Sequence, residues 1–195
     1  MVSAEASAAS RAGAASGSPA KSRIVGAAVG LFAAHGVGGT SLQMIADAIG
    51  VTKAAVYHQF KTKDEIVIAV AEAELARVEA AVAAAEAEPD PGRARELLLS
   101  RMVDLAIERR QMESMLVADP VLNRFFARHE PFHRLMGRLY RILMASDDPA
   151  ARLSGVMLTA ALGGAVMHPM TAGLDDATLR SELLRLGHRF LDLPG

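Results

Sequence analysis

The stretch TSLQMIADAIGVTKAAVYHQFKTKDEI, residues 40–66, carries the clearest structural signal in this 195-residue chain. Its apolar residues recur at helical spacing in two short segments, 41–48 and 52–60. Gly50, between them, can take the left-handed conformation that a tight turn needs. With a preceding amphipathic segment over 21–35, the pattern predicts three helices arranged as a helix-turn-helix, whose second helix can enter a DNA major groove.

Helix-start signals divide the rest of the chain. Asp90-Pro91, Asp119-Pro120 and Asp148-Pro149 each put a capping carboxylate before a proline, which is tolerated at the first helical position. Thr40 to Gln43 and Thr62 to Glu65 match the capping-box pattern. No strand alternation competes, so we predict an all-α protein with helices over 21–35, 41–48, 52–60, 63–87, 91–110, 112–118, 120–128, 131–145, 149–168 and 176–191.

Composition limits the class of protein. With 51% hydrophobic and 22% charged residues the chain can bury a core, and without cysteine it has no disulfide, thiolate zinc site or thiol switch. Residues 1–20 are rich in Ala, Ser and Gly, which predicts a disordered tail rather than a secretory signal, and hence a cytoplasmic protein. Up to Lys63 six basic side chains face two acidic ones, a net charge of +4 in a chain of −1 overall, so we expect an anionic partner there.

Residues 40–66 resemble the DNA-binding segment of the tetracycline-repressor-like (TetR) family of bacterial regulators. The resemblance covers roughly residues 21–68 and depends on the Thr-Ser opening, Ile45-Ala46, Gly50-Val51-Thr52, Lys53, Tyr57-His58, Phe60 and Lys63-Asp64-Glu65. Ala54 departs from a frequent glycine, and Gln59 from a frequent histidine or aromatic residue. The resemblance implies a homodimeric transcriptional regulator, most often a repressor that a small-molecule effector releases from a palindromic operator in double-stranded DNA.

Side chains with hydrogen-bond donors are frequent in the same segment. Phosphate contacts need donors but carry no sequence information, and we assign them to Thr40, Thr52, Tyr57, His58 and Lys63. Base edges would be contacted by Lys53 at guanine, Ala54 at a thymine methyl and Gln43 at adenine. Plainer interpretations stay open, since Gln43 can complete its capping box, Tyr57 can belong partly to the core and His58 can be merely solvated.

We predict a DNA-binding domain over 21–65 and a ligand-binding and dimerisation domain over 66–195, joined by the helix starting at Thr62. Methionine and aromatic side chains suit a pocket for varied apolar shapes, although most such residues form ordinary core. The candidate effector-pocket residues are Met102, Met115, Phe125, Phe126, His129, Met136 and Met167.

No catalytic nucleophile, acid pair or phosphate loop is evident, so we expect neither an enzyme nor a cofactor. His129-Glu130-Pro131-Phe132-His133 has the spacing of a zinc peptidase motif. Pro131 breaks the helix that this motif needs, so we predict no metal site. The alternative function is a helical small-molecule-binding protein that does not recognise an operator.

The last two predicted helices, 149–168 and 176–191, are expected to pair with their copies in a two-fold dimer that spaces the reading helices about 34–36 Å apart. Small and apolar residues support this pairing: Gly155, Ala160, Ala161, Gly163, Gly164, Leu179, Leu183, Leu186 and Phe190. The alternative is that both helices belong to the core of one protomer. A membrane span is not expected, because a helix ending before Pro169 reaches only about 24 Å of a roughly 30 Å hydrocarbon layer.

Overall fold

The computed structural model describes residues 18–108, 110, 120–144 and 148–191. Within these ranges it has nine α-helices, one 3-10 turn at Pro169–Thr171 and no strand, which confirms the all-α prediction. The helices are α1 Pro19–Gly39, α2 Leu42–Ala48, α3 Lys53–Gln59, α4 Lys63–Glu86, α5 Pro91–Glu108, α6 Pro120–Arg128, α7 Glu130–Leu143, α8 Pro149–Met167 and α9 Asp176–Phe190. The predicted helix over 112–118, the candidate Met115 and residues 1–17 of the predicted tail lie outside the described residues.

Side-chain caps begin several of these helices. Asp90 and Asp148 accept hydrogen bonds of 2.8 Å from the backbone N–H groups of Arg93 and Ala151, as their position before proline predicts. Asp119 lies outside the described residues. Ser18 and Asp175 are caps that the sequence analysis missed, and Ser18 starts α1 two residues before the predicted position.

The Asp175 cap is sensitive to acid. Its carboxylate accepts a 2.8 Å bond from the Thr178 backbone N–H and a 2.9 Å bond from the Thr178 hydroxyl. These bonds hold the pKa of Asp175 below its ordinary value, the backbone bond contributing most. A lowered pKa in the folded state means that the cap stabilises α9 at neutral pH and loses this contribution as the pH falls through that pKa.

The chain forms two compact units, the first ending at Val70 and the second beginning at Ala71. The domain boundary predicted from the sequence, after residue 65, falls inside the same helix, α4. The core of the first unit combines apolar faces from its helices with Phe60, which follows α3. Its buried members are Ile24, Ala28, Phe32, Ile45, Ala46, Val56, Phe60, Ile66, Val67 and Val70.

In the second unit, α5 packs against α7, α8 and α9. Large aliphatic residues from all four helices fill this core, among them Leu98, Leu99, Val103, Leu135, Leu139, Leu143, Leu158, Leu162, Val166, Leu179 and Leu183. Two glycines let neighbouring helices of this core approach each other closely. A Cβ atom at Gly187 would lie 2.8 Å from Cδ1 of Leu99, and one at Gly155 would lie 2.9 Å from Cδ1 of Tyr140.

Charged pairs join the second half of α4 to two other helices of this unit. Arg138 of α7 binds Glu86 through Nε to Oε1 at 2.9 Å and Nη2 to Oε2 at 2.6 Å, and it also contacts Glu79. The hydrogen bonds from Arg138 lower the pKa of Glu86, and the two glutamates raise the pKa of Arg138. Arg77, which lies on α4 itself, pairs with Glu108 of α5 through one contact, between Nη2 and Oε2. These pairs orient α4, although exposed ion pairs contribute little stability individually.

Helix α8 is the one described helix that is long and apolar enough to span a membrane, by length and composition alone. Its mean hydropathy reaches 1.4 over an 18-residue window. Core helices of water-soluble proteins also pass this test. One face of α8, formed by Gly155, Leu158, Leu162 and Val166, is buried in the second unit, as the core alternative predicts.

Candidate nucleic-acid interface

The turn between α2 and α3 depends on one left-handed residue. Gly50 has φ of 69°, as predicted, and the Val51 backbone N–H donates to the Ala46 carbonyl at 3.0 Å. Ala46 is fully buried, so its small side chain allows the helices to approach closely. Arg23 of α1 donates from Nη2 to the Ile49 carbonyl at 2.9 Å and ties α1 to this turn. The three helices therefore form the predicted helix-turn-helix.

Helix α3 buries one side and exposes the other. Val56 is fully buried, while Lys53, Ala54, Tyr57 and His58 are exposed, with 51% of Tyr57 accessible. The exposed side offers an ammonium, a methyl, a phenol and an imidazole along two turns of helix. These groups supply the donors and the apolar contact that a major groove and its flanking phosphates can accept.

Thr52 caps α3 at the same surface. Its Oγ1 accepts a 3.2 Å bond from the Ala55 backbone N–H. A hydroxyl has one proton and two acceptor positions, so this cap leaves the O–H free to donate to a phosphate. The structure thus brings together five of the eight predicted DNA-contacting residues on α3 and its cap: Thr52, Lys53, Ala54, Tyr57 and His58.

The capping box predicted over Thr40 to Gln43 is wrong. Ser41 caps α2 instead, its hydroxyl accepting a 3.2 Å bond from the Met44 backbone N–H. The Gln43 side chain is exposed on α2 and donates from Nε2 to Oδ1 of Asp47 at 2.7 Å. Its second amide proton and its carbonyl oxygen remain for a base edge.

Thr40 does not offer an exposed donor. Its side chain is 2% accessible, and its hydroxyl lies 2.8 Å from the Gly36 carbonyl and 3.2 Å from the Leu31 carbonyl. The chain turns at Gly36, whose φ is 74°, and this turn ends the regular part of α1. The Thr40 hydroxyl hydrogen-bonds to carbonyl groups at this helix end, where intrahelical donors run out. The predicted phosphate contact by the Thr40 side chain is therefore corrected, because its hydroxyl is buried and already bonded.

Lys63 is also engaged within the protein. Its Nζ lies 2.7 Å from the Val37 carbonyl, 3.2 Å from the Thr40 carbonyl and 3.4 Å from the Gly38 carbonyl. An ammonium group has three protons, so these carbonyls can use all of them. The predicted phosphate contact by Lys63 is not available in this arrangement.

Lys61 belongs to the exposed surface and was missed by the sequence analysis. Its side chain is exposed, and its Nζ lies 5.2 Å from the centre of the Tyr57 ring and 3.1 Å from the Tyr57 carbonyl oxygen. Its place in the basic segment was the available signal. The capping box predicted from Thr62 to Glu65 is formed only in part beside it: Glu65 N–H donates to the Thr62 hydroxyl at 3.2 Å, but the Glu65 carboxylate accepts at 2.7 Å from the backbone N–H of Lys61, one residue before the cap.

Comparison with known proteins identifies this domain. Residues 24–70 match the model of the bacterial regulatory proteins of the tetR family. The N-terminal domain belongs to the tetR family. This confirms the resemblance on which the sequence analysis relied. No match is found among curated proteins.

Solved structures extend the likeness beyond the tetR domain. A bacterial regulatory protein of the tetR family from Rhodococcus RHA1 matches with a TM-score of 0.71 and 21% identity, covering 92% of this chain and 100% of the other. The fatty acid degradation regulator FadR from Bacillus halodurans matches with a TM-score of 0.70 and 18% identity, covering 90% of this chain and 96% of the other. A protein from Clostridium perfringens named as a fatty acid metabolism regulator matches with a TM-score of 0.69 and 20% identity, covering 89% of this chain and 98% of the other. At these identities the likeness shows a shared fold.

The candidate effector residues fall into two groups in the second unit. Met102, Met136 and Met167 are half-buried against the core. Phe125, Phe126 and His129 belong to an aromatic cluster at the junction of α6 and α7, where the Phe125 and His129 ring centres are 4.3 Å apart. Their role as one pocket stays a prediction.

A separate surface groove of about 390 Å³ lies between α4 and α5 and is lined by other residues, Arg77, Ala80, Ala81, Ala84, Arg101, Asp104, Leu105 and Glu108.

In the described ranges, no group of three or more His, Asp or Glu side chains is placed to hold a metal ion. His129 has extended backbone and precedes α7, and Pro131 is in the first turn of that helix. The two histidines of the peptidase-like spacing therefore do not project from one unbroken helix, as Pro131 predicted.

An exposed apolar surface covers parts of α8 and α9. Six exposed α8 residues recur at i, i+3, i+4, i+7, i+8 and i+11: Leu153, Val156, Met157, Ala160, Ala161 and Gly164. Leu186 and Phe190 are exposed on α9, which packs against α8. We call these eight residues the C-terminal apolar surface.

Some of the residues predicted to form the dimer contact are buried within the protomer, and others are exposed. Leu179 and Leu183 are buried in the core of their own protomer, and Gly155 packs against Tyr140. Their assignment to a dimer contact is corrected, because they face inward. Gly164 is exposed, and a Cβ atom there would meet nothing within 4 Å.

Proposed function

We propose that this protein is a homodimeric transcriptional repressor that binds a palindromic DNA operator and is released by a small apolar effector. The observation that carries the DNA-binding part is the exposed side of α3, where Lys53, Ala54, Tyr57 and His58 lie together behind the Thr52 cap. A short helix that is capped, packed by Val56 and exposed on its other side is suited to insertion into a major groove. A DNA-binding role places the protein in the cytoplasm.

Each exposed group on α3 has a distinct role in this proposal. Lys53 and Ala54 lie at the N-terminal end of α3, which contacts base edges in helix-turn-helix proteins. Lys53 donates to a guanine edge, and the Ala54 methyl packs against a thymine methyl. Thr52, Tyr57 and His58 donate to phosphates and fix the orientation of the helix. Gln43 reaches an adenine edge from α2 with the amide groups that Asp47 leaves free.

Lys53→Ala and Tyr57→Ala should have different effects on a duplex recovered from a random pool by binding to the wild-type protein. Lys53→Ala should reduce discrimination at one base position by about 1–3 kcal/mol, because it removes a base contact. Tyr57→Ala should weaken binding to every sequence by a similar factor, because it removes a phosphate contact. Binding of each variant to a set of single-base operator variants measures both effects. Recovery of no duplex by the wild-type protein would contradict the regulator function and favour the ligand-binding alternative.

The C-terminal apolar surface supports the dimer. Leu153, Val156 and Met157 are about half or more exposed in the protomer, and they adjoin small residues that let a second helix approach. Apolar surfaces of this kind on soluble proteins usually mark an interaction site. A second copy is the natural partner, because a two-fold pairing gives two α3 helices for the two halves of a palindrome.

The effector acts in this proposal through α4. This helix is unbroken from Lys63 to Glu86, and Arg138 and Glu108 hold its second half through the ion pairs described above. A ligand changes DNA affinity only if it binds one arrangement of the protein better than another, and a rigid helix can transmit that preference.

Two of the structures with this fold come from proteins named as regulators of fatty acid metabolism and of fatty acid degradation, so acyl compounds are the first effectors to test. Effector affinity should differ between free and operator-bound protein by a coupling of about 1–3 kcal/mol. Equal affinities would contradict the switch.

A further inference from the structure

We infer that Lys61 is the lysine that contacts the DNA phosphates after α3, and that Lys63 is a positioning residue that acts from inside the domain. This inference rests on the proposed DNA-binding function and reassigns roles within that site. Both residues are lysines two positions apart in the same basic segment, so the sequence alone does not distinguish their roles. The inference depends on where the structure places their two ammonium groups.

The Lys63 ammonium fixes residues 37–40, which we call the connection: the end of α1 after the turn at Gly36, and the residue before the Ser41 cap. Its carbonyl partners at Val37, Gly38 and Thr40 cover most of the residues between the turn at Gly36 and the Ser41 cap of α2. The Thr40 hydroxyl bonds the Leu31 and Gly36 carbonyls on the other side of the same connection. The start of α4 therefore holds the segment that sets the position of α2, and through α2 the position of α3.

A phosphate contact by Lys63 would break this arrangement. Moving the ammonium to a phosphate would leave the Val37 and Thr40 carbonyls, whose bonds to Lys63 are part-buried, without this donor, and a polar group that loses its partner away from water carries a free-energy cost. Keeping the ammonium in place leaves no proton for a phosphate. The geometry thus separates Lys63 from the DNA even though its sequence position suggests contact.

The Lys61 ammonium has the opposite surroundings. In the part of the chain that the structure describes, it donates one hydrogen bond, to the Tyr57 carbonyl, and lies near the exposed Tyr57 ring. Two of its three protons therefore remain for phosphate oxygens. Tyr57 is itself on the exposed side of α3, so the positive charge of Lys61 lies on the surface that meets DNA in the proposed function.

The variants Lys61→Gln and Lys63→Gln separate these roles, because each removes one positive charge from the same segment. Binding to the recovered operator duplex and to a mixed-sequence duplex is measured over a series of salt concentrations, together with thermal unfolding and amide exchange. Lys61→Gln should lower the magnitude of the slope of log K against log salt by about 1 and leave the unfolding temperature unchanged. Lys61→Arg should restore the slope, since a cation is retained.

Lys63→Gln should keep the wild-type slope, lower the unfolding temperature and speed amide exchange in α2, with weaker binding to both duplexes. An unchanged slope for Lys61→Gln would overturn the assignment of Lys61. A slope reduced by about 1 for Lys63→Gln, with an unchanged unfolding temperature, would overturn the positioning role of Lys63. If the wild-type protein bound no duplex, the proposed function and the assignment of Lys61 would both fail. The unfolding temperature of Lys63→Gln would still test the positioning role of Lys63, because that measurement needs no DNA.

Discussion

Gly164→Glu should convert the dimer to a monomer and weaken operator binding by about 10²–10⁴-fold. Gly164 lies at the end of the exposed α8 stripe, so in a dimer the new carboxylate would be desolvated beside apolar residues of the partner. The protomer itself should fold, because nothing lies within 4 Å of the added Cβ. Loss of the dimer removes the linked binding of two half-sites. Sedimentation at micromolar concentration and operator titration measure the two effects.

Gly137→Glu is the matched control for this dimer test. Gly137 is an exposed helical glycine of α7, and a Cβ atom there also meets nothing within 4 Å. This variant adds the same charge away from the C-terminal apolar surface, so it should remain a dimer with operator affinity near that of the wild type. A Gly164→Glu protein that sediments as a dimer would show that α8 does not form the interface.

Gly187→Val should lower the free energy of unfolding by about 1–3 kcal/mol. Gly187 is buried on α9, and even its Cβ atom would lie 2.8 Å and 3.0 Å from the two methyl carbons of Leu99. Leu99 is fully buried and has little room to move. The added methyl groups of valine must therefore displace α9 or α5. Urea unfolding at one fixed protein concentration measures the change.

Gly137→Val serves as the control for this packing test. The site is exposed and open, so the change in unfolding free energy should stay within about 0.5 kcal/mol. Equal stability of Gly187→Val and Gly137→Val would contradict the close contact between α9 and α5 on which the core of the second unit depends.

The helical architecture was predictable because its signals are local. Asp90 and Asp148 cap helices where a carboxylate precedes proline, and Gly50 adopts the left-handed turn between α2 and α3. The exposed side of α3 was predictable for a related reason. Val56 recurs at helical spacing with the core residues, so Ala54 and His58, two positions away on either side, must lie on the opposite side of the helix.

The roles of Thr40 and Lys63 were not predictable from local pattern. Both side chains bond backbone carbonyls in the second half of α1 or directly after it, and Lys63 reaches back over more than twenty residues to do so. A sequence shows which side chain carries a donor, but a fold decides which carbonyl lies near it. For the same reason one predicted stripe on α9 divides into inward Leu179 and Leu183 and outward Leu186 and Phe190.

Recognition of a DNA sequence by α3 can be tested by a ratio of two dissociation constants. The constants are those of the wild-type protein for the duplex recovered from a random pool and for a shuffled duplex of the same composition, measured at the same salt concentration. Specific DNA-binding proteins typically show a ratio of about 10³ or more, which is the result that we predict. A ratio near 1 would mean that the protein binds DNA only through its charge and that α3 recognises no sequence.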